Sequence, residues 1–148
     1  MGAADVLAGF FDGEDLEAKS SLAAYLVTIG TDGWPHTAMI GAGELLLARD
    51  GATRLAVWAG SRSTANLTRD GRAVLLIVLS GRAIRARLEV GAVESDEALT
   101  YFAGTAVAAE ADTAPYAELR AGITYELHDS VAALQRWTAT IARMRALT

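Results

Sequence analysis

The spacing of apolar and polar positions predicts a sheet through the middle of the chain. Residues 72–79, RAVLLIVL, are nearly all apolar, which predicts a strand buried on both faces. Residues 82–93 alternate apolar with charged positions, which predicts a strand with one dry face and one wet face. Four more strands are predicted at residues 22–29, 34–43, 44–48 and 54–59.

Tight turns separate most of these strands. Asp32-Gly33, Asp50-Gly51 and Ser80-Gly81 supply the residues that short hairpins prefer. Parallel strands need crossovers of roughly a dozen residues or more, and most of these connections are too short. The sequence therefore predicts an antiparallel meander of six strands. A sheet of that length tends to close into a barrel, which removes its edges.

Helical segments are predicted at both ends of the sheet. Residues 4–20 carry an apolar stripe broken at Asp12-Gly13, which predicts a cover over an open end of the sheet. A C-terminal helix is predicted from Asp129 or Ser130 to about residue 147. Helical spacing also favours a helix over residues 96–112, and a last short strand is predicted at 122–127. The fold class is mainly β with flanking helices.

Composition limits the partners and the compartment. The 148 residues fit one domain, 1–148, and 52% are hydrophobic, enough for a real core. A formal charge of −5 gives no attraction to nucleic acid, so none is expected. No apolar run approaches the ~18 residues of a spanning helix, so no membrane partner is expected. The absence of cysteine and of a basic leader makes the cytoplasm the simplest compartment.

The polar stretch 60–71, GSRSTANLTRDG, carries the clearest candidate chemistry. A helix beginning near Ser63 would direct free N–H groups outward, and this arrangement favours an anion. Hydroxyls of Ser61, Ser63 and Thr64 add hydrogen-bond donors, and Arg62 adds a charge-assisted contact. The same loop could equally be a capped helix start with no ligand.

Residues 24–39, AYLVTIGTDGWPHTAM, and 57–74, VWAGSRSTANLTRDGRAV, together resemble the flavin-binding split-barrel family, which includes pyridoxamine 5'-phosphate oxidase. The resemblance lies in an ordered set of features: a turn with proline, a cofactor-lining strand, a Ser/Arg-rich loop and a helix opening on Asn-Leu. It covers roughly residues 20–93. It implies a six-stranded split β-barrel, a homodimer, and flavin mononucleotide (FMN) bound at the dimer interface.

The resemblance also implies roles for individual residues. Strand residues Thr37 and Met39 would lie near the isoalloxazine ring, and Val57 and Trp58 would end the strand bordering the cofactor. Asn66 would anchor the loop. The phosphate would be held by a set of four consecutive residues: Ser61, Arg62, Ser63 and Thr64.

One position departs from the family pattern. Many flavin-binding members carry a lysine where this chain has Ser63, so Arg62 would have to replace that cation. The departure leaves open weaker flavin binding, a different cofactor such as F420 or haem, or no cofactor.

Three functions remain open from the sequence. The first is an FMN-dependent oxidoreductase, in which the cofactor carries the electrons and the protein positions it. The second is a non-catalytic module that binds F420, haem or another anionic ligand, and the third is a dimeric scaffold. No catalytic residue can be named.

The other histidines, glycines and arginines that could bind a ligand are better explained by structural roles. Two isolated histidines, His36 and His128, are too few for a metal site. Gly41-Ala42-Gly43 lacks the third glycine and the helix of a dinucleotide fingerprint. The arginines of residues 82–93 are predicted on a solvated strand face: Arg82, Arg85 and Arg87.

Overall fold

A computed structural model describes residues 1–147 and shows a curled antiparallel sheet with helices packed around it. The helices are α1 (Ala3–Phe10), α2 (Leu16–Lys19), α3 (Arg62–Asp70) and α4 (Ser130–Arg145). The strands are β1 (Leu22–Ile29), β2 (Pro35–Ile40), β3 (Leu45–Leu47), β4 (Ala52–Trp58), β5 (Arg72–Leu79), β6 (Arg82–Ser95), β7 (Leu99–Asp112) and β8 (Ile123–Thr124).

The strand order explains why the sheet closes into a barrel. The strands lie in the order β2-β1-β5-β6-β7-β4-β3, with β8 paired to the start of β1. Strands β2 and β3 are therefore the two ends of this order, yet only residues 41–44 connect them. So short a connection brings the two ends together, which requires the sheet to curl round.

The predicted fold class is confirmed, with corrections to the strand count and the order. The hairpins β1–β2, β3–β4 and β5–β6 form as predicted. A continuous meander is wrong, because β1 pairs with β5 and β4 pairs with β7. The described chain also has eight strands in the sheet rather than six: β7 was not predicted as a strand, and β8, which falls within the short strand predicted at 122–127, pairs with β1.

The predicted helix at 96–112 is wrong, because this segment is β7, a strand of 14 residues. Several alanines make the segment compatible with a helix. Burial on both faces hides the strand alternation near its start, where Phe102 faces the core and Tyr101 lies under α4. Further along, Val107 falls between two registers with β6, and this β-bulge shifts the alternation by one residue.

Side chains from the inner faces of the strands fill the barrel. Phe102, Leu55 and Leu75 are completely buried there. Helix α1 adds Leu7 to the same core, and Phe11 directly after the helix adds a second side chain, so the predicted N-terminal cover is confirmed. Strand β5, predicted to be buried on both faces, is fully buried on one face only. Its other face is half-buried in the single chain and consists of Val74, Leu76 and Val78.

The predicted C-terminal helix is confirmed as α4, and it packs on the outside of the barrel. The Asp129 side chain caps it by accepting a hydrogen bond from the Ala132 backbone N–H at 3.1 Å. Its residues Ile141 and Met144 pack against Ala56 and Tyr101 on the outer face of the sheet. Val131, in the first turn of α4, is 67% exposed, so the packing of the helix on the barrel begins after it.

Two features are absent from residues 1–147. No helix there combines the length and the apolar character needed to cross a membrane. Within the same range no three histidine, cysteine or acidic side chains gather as a metal site would require.

Candidate functional site

Helix α3 begins with a well-formed cap that uses two of the candidate hydroxyls. The Ser61 hydroxyl accepts a hydrogen bond from the Thr64 backbone N–H at 3.1 Å. The Thr64 hydroxyl donates to the Trp58 carbonyl at 2.7 Å. These contacts fix the β4–α3 connection, and the N–H groups of Arg62 and Ser63 in the first turn have no carbonyl partner within the helix.

A second network holds α3 against the β1–β2 hairpin. The Asn66 amide donates to the buried Thr28 hydroxyl at 3.0 Å. The Arg69 guanidinium donates to the Asn66 side-chain oxygen at 3.3 Å and to the Ile29 carbonyl. Asn66 is thus a buried link between the helix and β1, in keeping with the anchoring role that the resemblance implies.

A polar cleft of about 470 Å³ lies between α3 and the β1–β2 hairpin. Arg62 and Arg69 contribute two cations, and the half-buried His36 lies beside them. Asp32 is the acidic residue lining the cleft, and its carboxylate accepts a hydrogen bond from the Trp34 backbone N–H at 3.0 Å. Arg62 stands in the first turn of α3 and Arg69 in its last turn, so one face of the helix brings two guanidinium groups to the cleft, which favours an anion.

The burial of Ser63 bears on whether these residues fit a flavin phosphate, because many family members carry a lysine at this position. Ser63 is completely buried, and its hydroxyl is the one buried side-chain polar atom in residues 1–147 without a hydrogen-bond partner. A side chain at this position is directed into the protein, so the cation comes from exposed Arg62 instead. The two guanidinium groups of the cleft, Arg62 and Arg69, therefore fit a phosphate without the lysine.

The other candidate residues divide between two faces of the sheet. Met39 is 57% exposed and Trp58 is 58% exposed, both on the outer face, and both line one cavity beneath α4. Thr37 is exposed on the same face of β2 as Met39. Val57 points into the barrel core, so its side chain lies away from both the cleft and this cavity.

Sequence reasoning missed the polar lining of that cavity, which we call the α4 cavity. It measures about 450 Å³, and its polar residues include Glu44, Tyr125 and Arg136. These come from the β2–β3 connection, the segment after β8 and helix α4, so no local motif could reveal them. The two glycines Gly41 and Gly43 are the one feature of the sequence that could have indicated a close approach of another element here. A Cβ atom on Gly43 would lie 2.0 Å from Trp137 Cγ, so close packing of α4 requires glycine there.

Burial controls the charges in the α4 cavity. Burial raises the pKa of Glu44, against the lowering effects of the Gly41 N–H at 2.8 Å and the Arg136 charge. Burial, with the nearby Glu44 charge, also raises the pKa of Tyr125 to about 12. The phenol is therefore protonated at neutral pH and can act as a hydrogen-bond donor.

We expect Glu44→Gln to stabilise the protein more at pH 7.5 than at pH 4. Folding raises the Glu44 pKa, so the native state binds more protons between the ordinary and the raised value. Stability is therefore lost as pH rises through that window, and glutamine avoids the loss while still accepting from Gly41 N–H. Thermal unfolding midpoints of both proteins at the two pH values measure the effect. Glu126→Gln on the surface is the control, and equal shifts for both variants would contradict the burial argument.

The fold has counterparts among solved structures. An FMN-binding protein from Syntrophomonas wolfei aligns with a TM-score of 0.54 at 12% identity, covering 76% of this chain and 87% of that one. The styrene monooxygenase flavin reductase of Pseudomonas putida S12 gives 0.52 at 13% identity, with 63% and 82% covered. A protein from Clostridium acetobutylicum related to general stress protein 26, of the pyridoxinephosphate oxidase family, gives 0.51 at 13%, with 81% and 96% covered.

These likenesses define the class: the chain has the FMN-binding, pyridoxamine 5'-phosphate oxidase-like split-barrel fold. No protein-family model matches the sequence. The chain is 32% identical over 145 residues to the uncharacterized protein YclD of Bacillus subtilis (strain 168), covering 95% of this chain and 94% of that protein. It belongs to the same family as YclD.

Proposed function

We propose that this protein is an FMN-binding oxidoreductase that works as a homodimer. The observation that carries the proposal is the polar cleft to which α3 contributes both Arg62 and Arg69. An anion-binding helix N-terminus lies next to the exposed outer face that carries Met39 and Trp58. This combination suits a cofactor with a phosphate at one end and a flat aromatic ring at the other.

In this proposal the site residues divide into those that hold the phosphate and those that border the ring. Arg62 and the amides of Arg62 and Ser63 hold the phosphate, and Asn66 keeps α3 in place through Thr28. Met39, Thr37 and Trp58 border the ring and exclude water from it. FMN, when bound, supplies the electron and hydride chemistry. The flavin reductase and the FMN-binding protein with the same fold support this choice of cofactor.

The outer face of β1, β2 and β5 supports the homodimer. Tyr25 and Ile29 are 39% and 44% exposed, and Tyr25 lies between Met39 on β2 and Leu76 on β5. Contiguous apolar surface of this kind marks an interaction site in a protein of this size. A second copy of the same patch would cover it with matched apolar chemistry.

The proposal is tested by recording the visible spectrum of the purified protein, then titrating flavin-free protein with FMN. We expect flavin absorbance or saturable FMN binding at micromolar concentrations. Parallel titrations with F420 and haemin show whether the cleft prefers another anionic cofactor. An absence of FMN binding at those concentrations, with or without binding of the other two, would overturn the FMN assignment.

We expect Leu76→Asp to convert the dimer to a monomer, because the substitution puts a charge into the centre of the apolar patch. Multi-angle light scattering should give the mass of two 15.5 kDa chains for the wild type and of one for the variant. Val131→Asp is the matched control, since Val131 is exposed on α4 outside the patch. A monomeric wild type, or a dimeric Leu76→Asp, would rule out this interface.

A further inference from the structure

We propose that His36 is a third phosphate-binding residue of the polar cleft and that it becomes protonated when the phosphate group of FMN binds there. The imidazolium donates a hydrogen bond to a phosphate oxygen beside Arg62 and Arg69. This inference rests on the proposed function, since it adds a residue to the same FMN site. Its consequence is new: the protein takes up a proton together with the cofactor, which the two arginines alone do not cause.

The register of β1 and β2 places His36 on the side of the hairpin that faces α3. Its partner across the strand pair is Thr28, whose hydroxyl accepts the hydrogen bond from Asn66 of α3 at 3.0 Å. Side chains directly opposite each other in an antiparallel pair lie on the same face, with Cβ atoms about 5 Å apart. His36 is therefore held beside α3, where it lines the cleft together with Arg62 and Arg69.

The imidazole of His36 is available to a ligand. The hydrogen bonds that the structure describes beside it run from Asn66 to Thr28. The Arg69 guanidinium donates to the Asn66 side chain and to the Ile29 carbonyl. None of these contacts uses an imidazole nitrogen. A protonated imidazole has two N–H donors and no acceptor, which matches the acceptor oxygens of a phosphate group.

The fixed charges of the cleft neutralise a phosphate group only in part. Within residues 1–147 the charged side chains that line the cleft are Arg62, Arg69 and Asp32. Asp70 forms an ion pair with Arg69 at 3.5 Å. The two carboxylates offset part of the positive charge, whereas a phosphate monoester carries nearly two negative charges at neutral pH. Protonation of His36 supplies the further positive charge.

The proposal gives FMN binding a definite pH dependence. A histidine can gain its charge when the ligand binds, because its protonation equilibrium ordinarily lies close to neutral pH. A charge-assisted hydrogen bond favours the protonated form over the neutral form about ten-fold. The complex then holds more protons than the free protein near pH 7, so affinity rises as pH falls and is lost as pH rises. We expect FMN to bind about five-fold more tightly at pH 6.5 than at pH 8.5.

The test counts protons by calorimetry, with FMN titrated into flavin-free protein near pH 7 in two buffers of different ionisation enthalpy. Wild-type protein should take up about half a proton per FMN bound. His36→Gln keeps a hydrogen-bond donor but cannot titrate, so its uptake should vanish. His128→Gln is the matched control, because His128 is exposed and lies outside the cleft, and it should keep the wild-type uptake. Riboflavin, which lacks the phosphate group, should bind without proton uptake.

An uptake by His36→Gln equal to that of the wild type, or no uptake by the wild type, would overturn the inference while FMN binding, and with it the proposed function, still stands. If the protein binds no FMN, the proposed function fails, and nuclear magnetic resonance decides the role of His36 separately. The chain has two histidines, so His128 serves as the internal reference. Inorganic phosphate added to flavin-free protein near pH 7 should shift the His36 C–H resonance towards its protonated position and leave that of His128 in place. A His36 resonance that does not respond to phosphate would also overturn the inference.

Discussion

Replacing Gly104 by alanine is expected to lower the free energy of unfolding by about 3 kcal/mol or more. Gly104 lies in the middle of β7, paired with Val90 on β6 and with Thr53 on β4. A Cβ atom there would lie 2.0 Å from the Glu89 carbonyl oxygen and 2.8 Å from Val90 Cα. Both are backbone atoms of a paired strand, so no side-chain movement can relieve the clash, and the β6–β7 pairing itself must shift.

Gly91→Ala provides the matched control, because Gly91 lies on the neighbouring strand and a Cβ there meets nothing within 4 Å. Urea unfolding of both variants at one pH measures the difference, and the midpoint of Gly104→Ala should fall well below that of the control. A Gly104→Ala protein as stable as Gly91→Ala would show that the β6–β7 register is looser than the structure has it.

The sequence predicted strands best where one face is buried and the connection is a tight turn. The predicted bounds of β1 and β5 match the structure residue for residue, and β6 begins at the predicted Arg82. These strands combine β-branched residues with alternation or a long apolar run, and Asp-Gly or Ser-Gly turns separate them from their neighbours. Local physics is sufficient for such elements.

Strand β7 and the strand order required information that is not local. Partners of β7 lie on both sides, in β6 and β4, and its alanines carry no strand preference of their own. Pairing of β1 with β5 joins Val27 to Val74, residues far apart in the sequence. A hairpin-by-hairpin interpretation leads to a simple meander instead, which the pairing of β1 with β5 rules out.

The candidate site also has one part that local sequence predicts and one part that it does not. The β4–α3 loop is contiguous, so its cap chemistry and Arg62 could be predicted from one short stretch. The α4 cavity is assembled from Glu44, Tyr125 and Arg136, three segments that meet only after α4 packs on the barrel. The sequence analysis named two residues of this cavity, Met39 and Trp58. It missed the three polar residues, because no sequence spacing relates them to one another.

Arg62→Ala is expected to weaken FMN binding about 30-fold, or roughly 2 kcal/mol, the range for a hydrogen bond to a charged group. Arg62 is the exposed cation in the first turn of α3, where the serine at position 63 is buried and supplies no charge. Arg62→Lys should keep part of the affinity, since lysine retains the charge but loses the bidentate geometry. Quenching of FMN fluorescence on titration with protein gives the dissociation constants.

Arg120→Ala is the control for a lost positive charge at the other end of the barrel. Arg120 is exposed and follows Leu119, whose carbonyl lies near Gly81 in the β5–β6 turn, whereas α3 leads into the start of β5. We expect the Arg120→Ala protein to bind FMN as the wild type does. The effect of Arg62→Ala should also shrink as salt is raised, because screening weakens an exposed ionic contact. Equal FMN affinity in the two alanine variants would contradict the proposal that the FMN phosphate binds at α3.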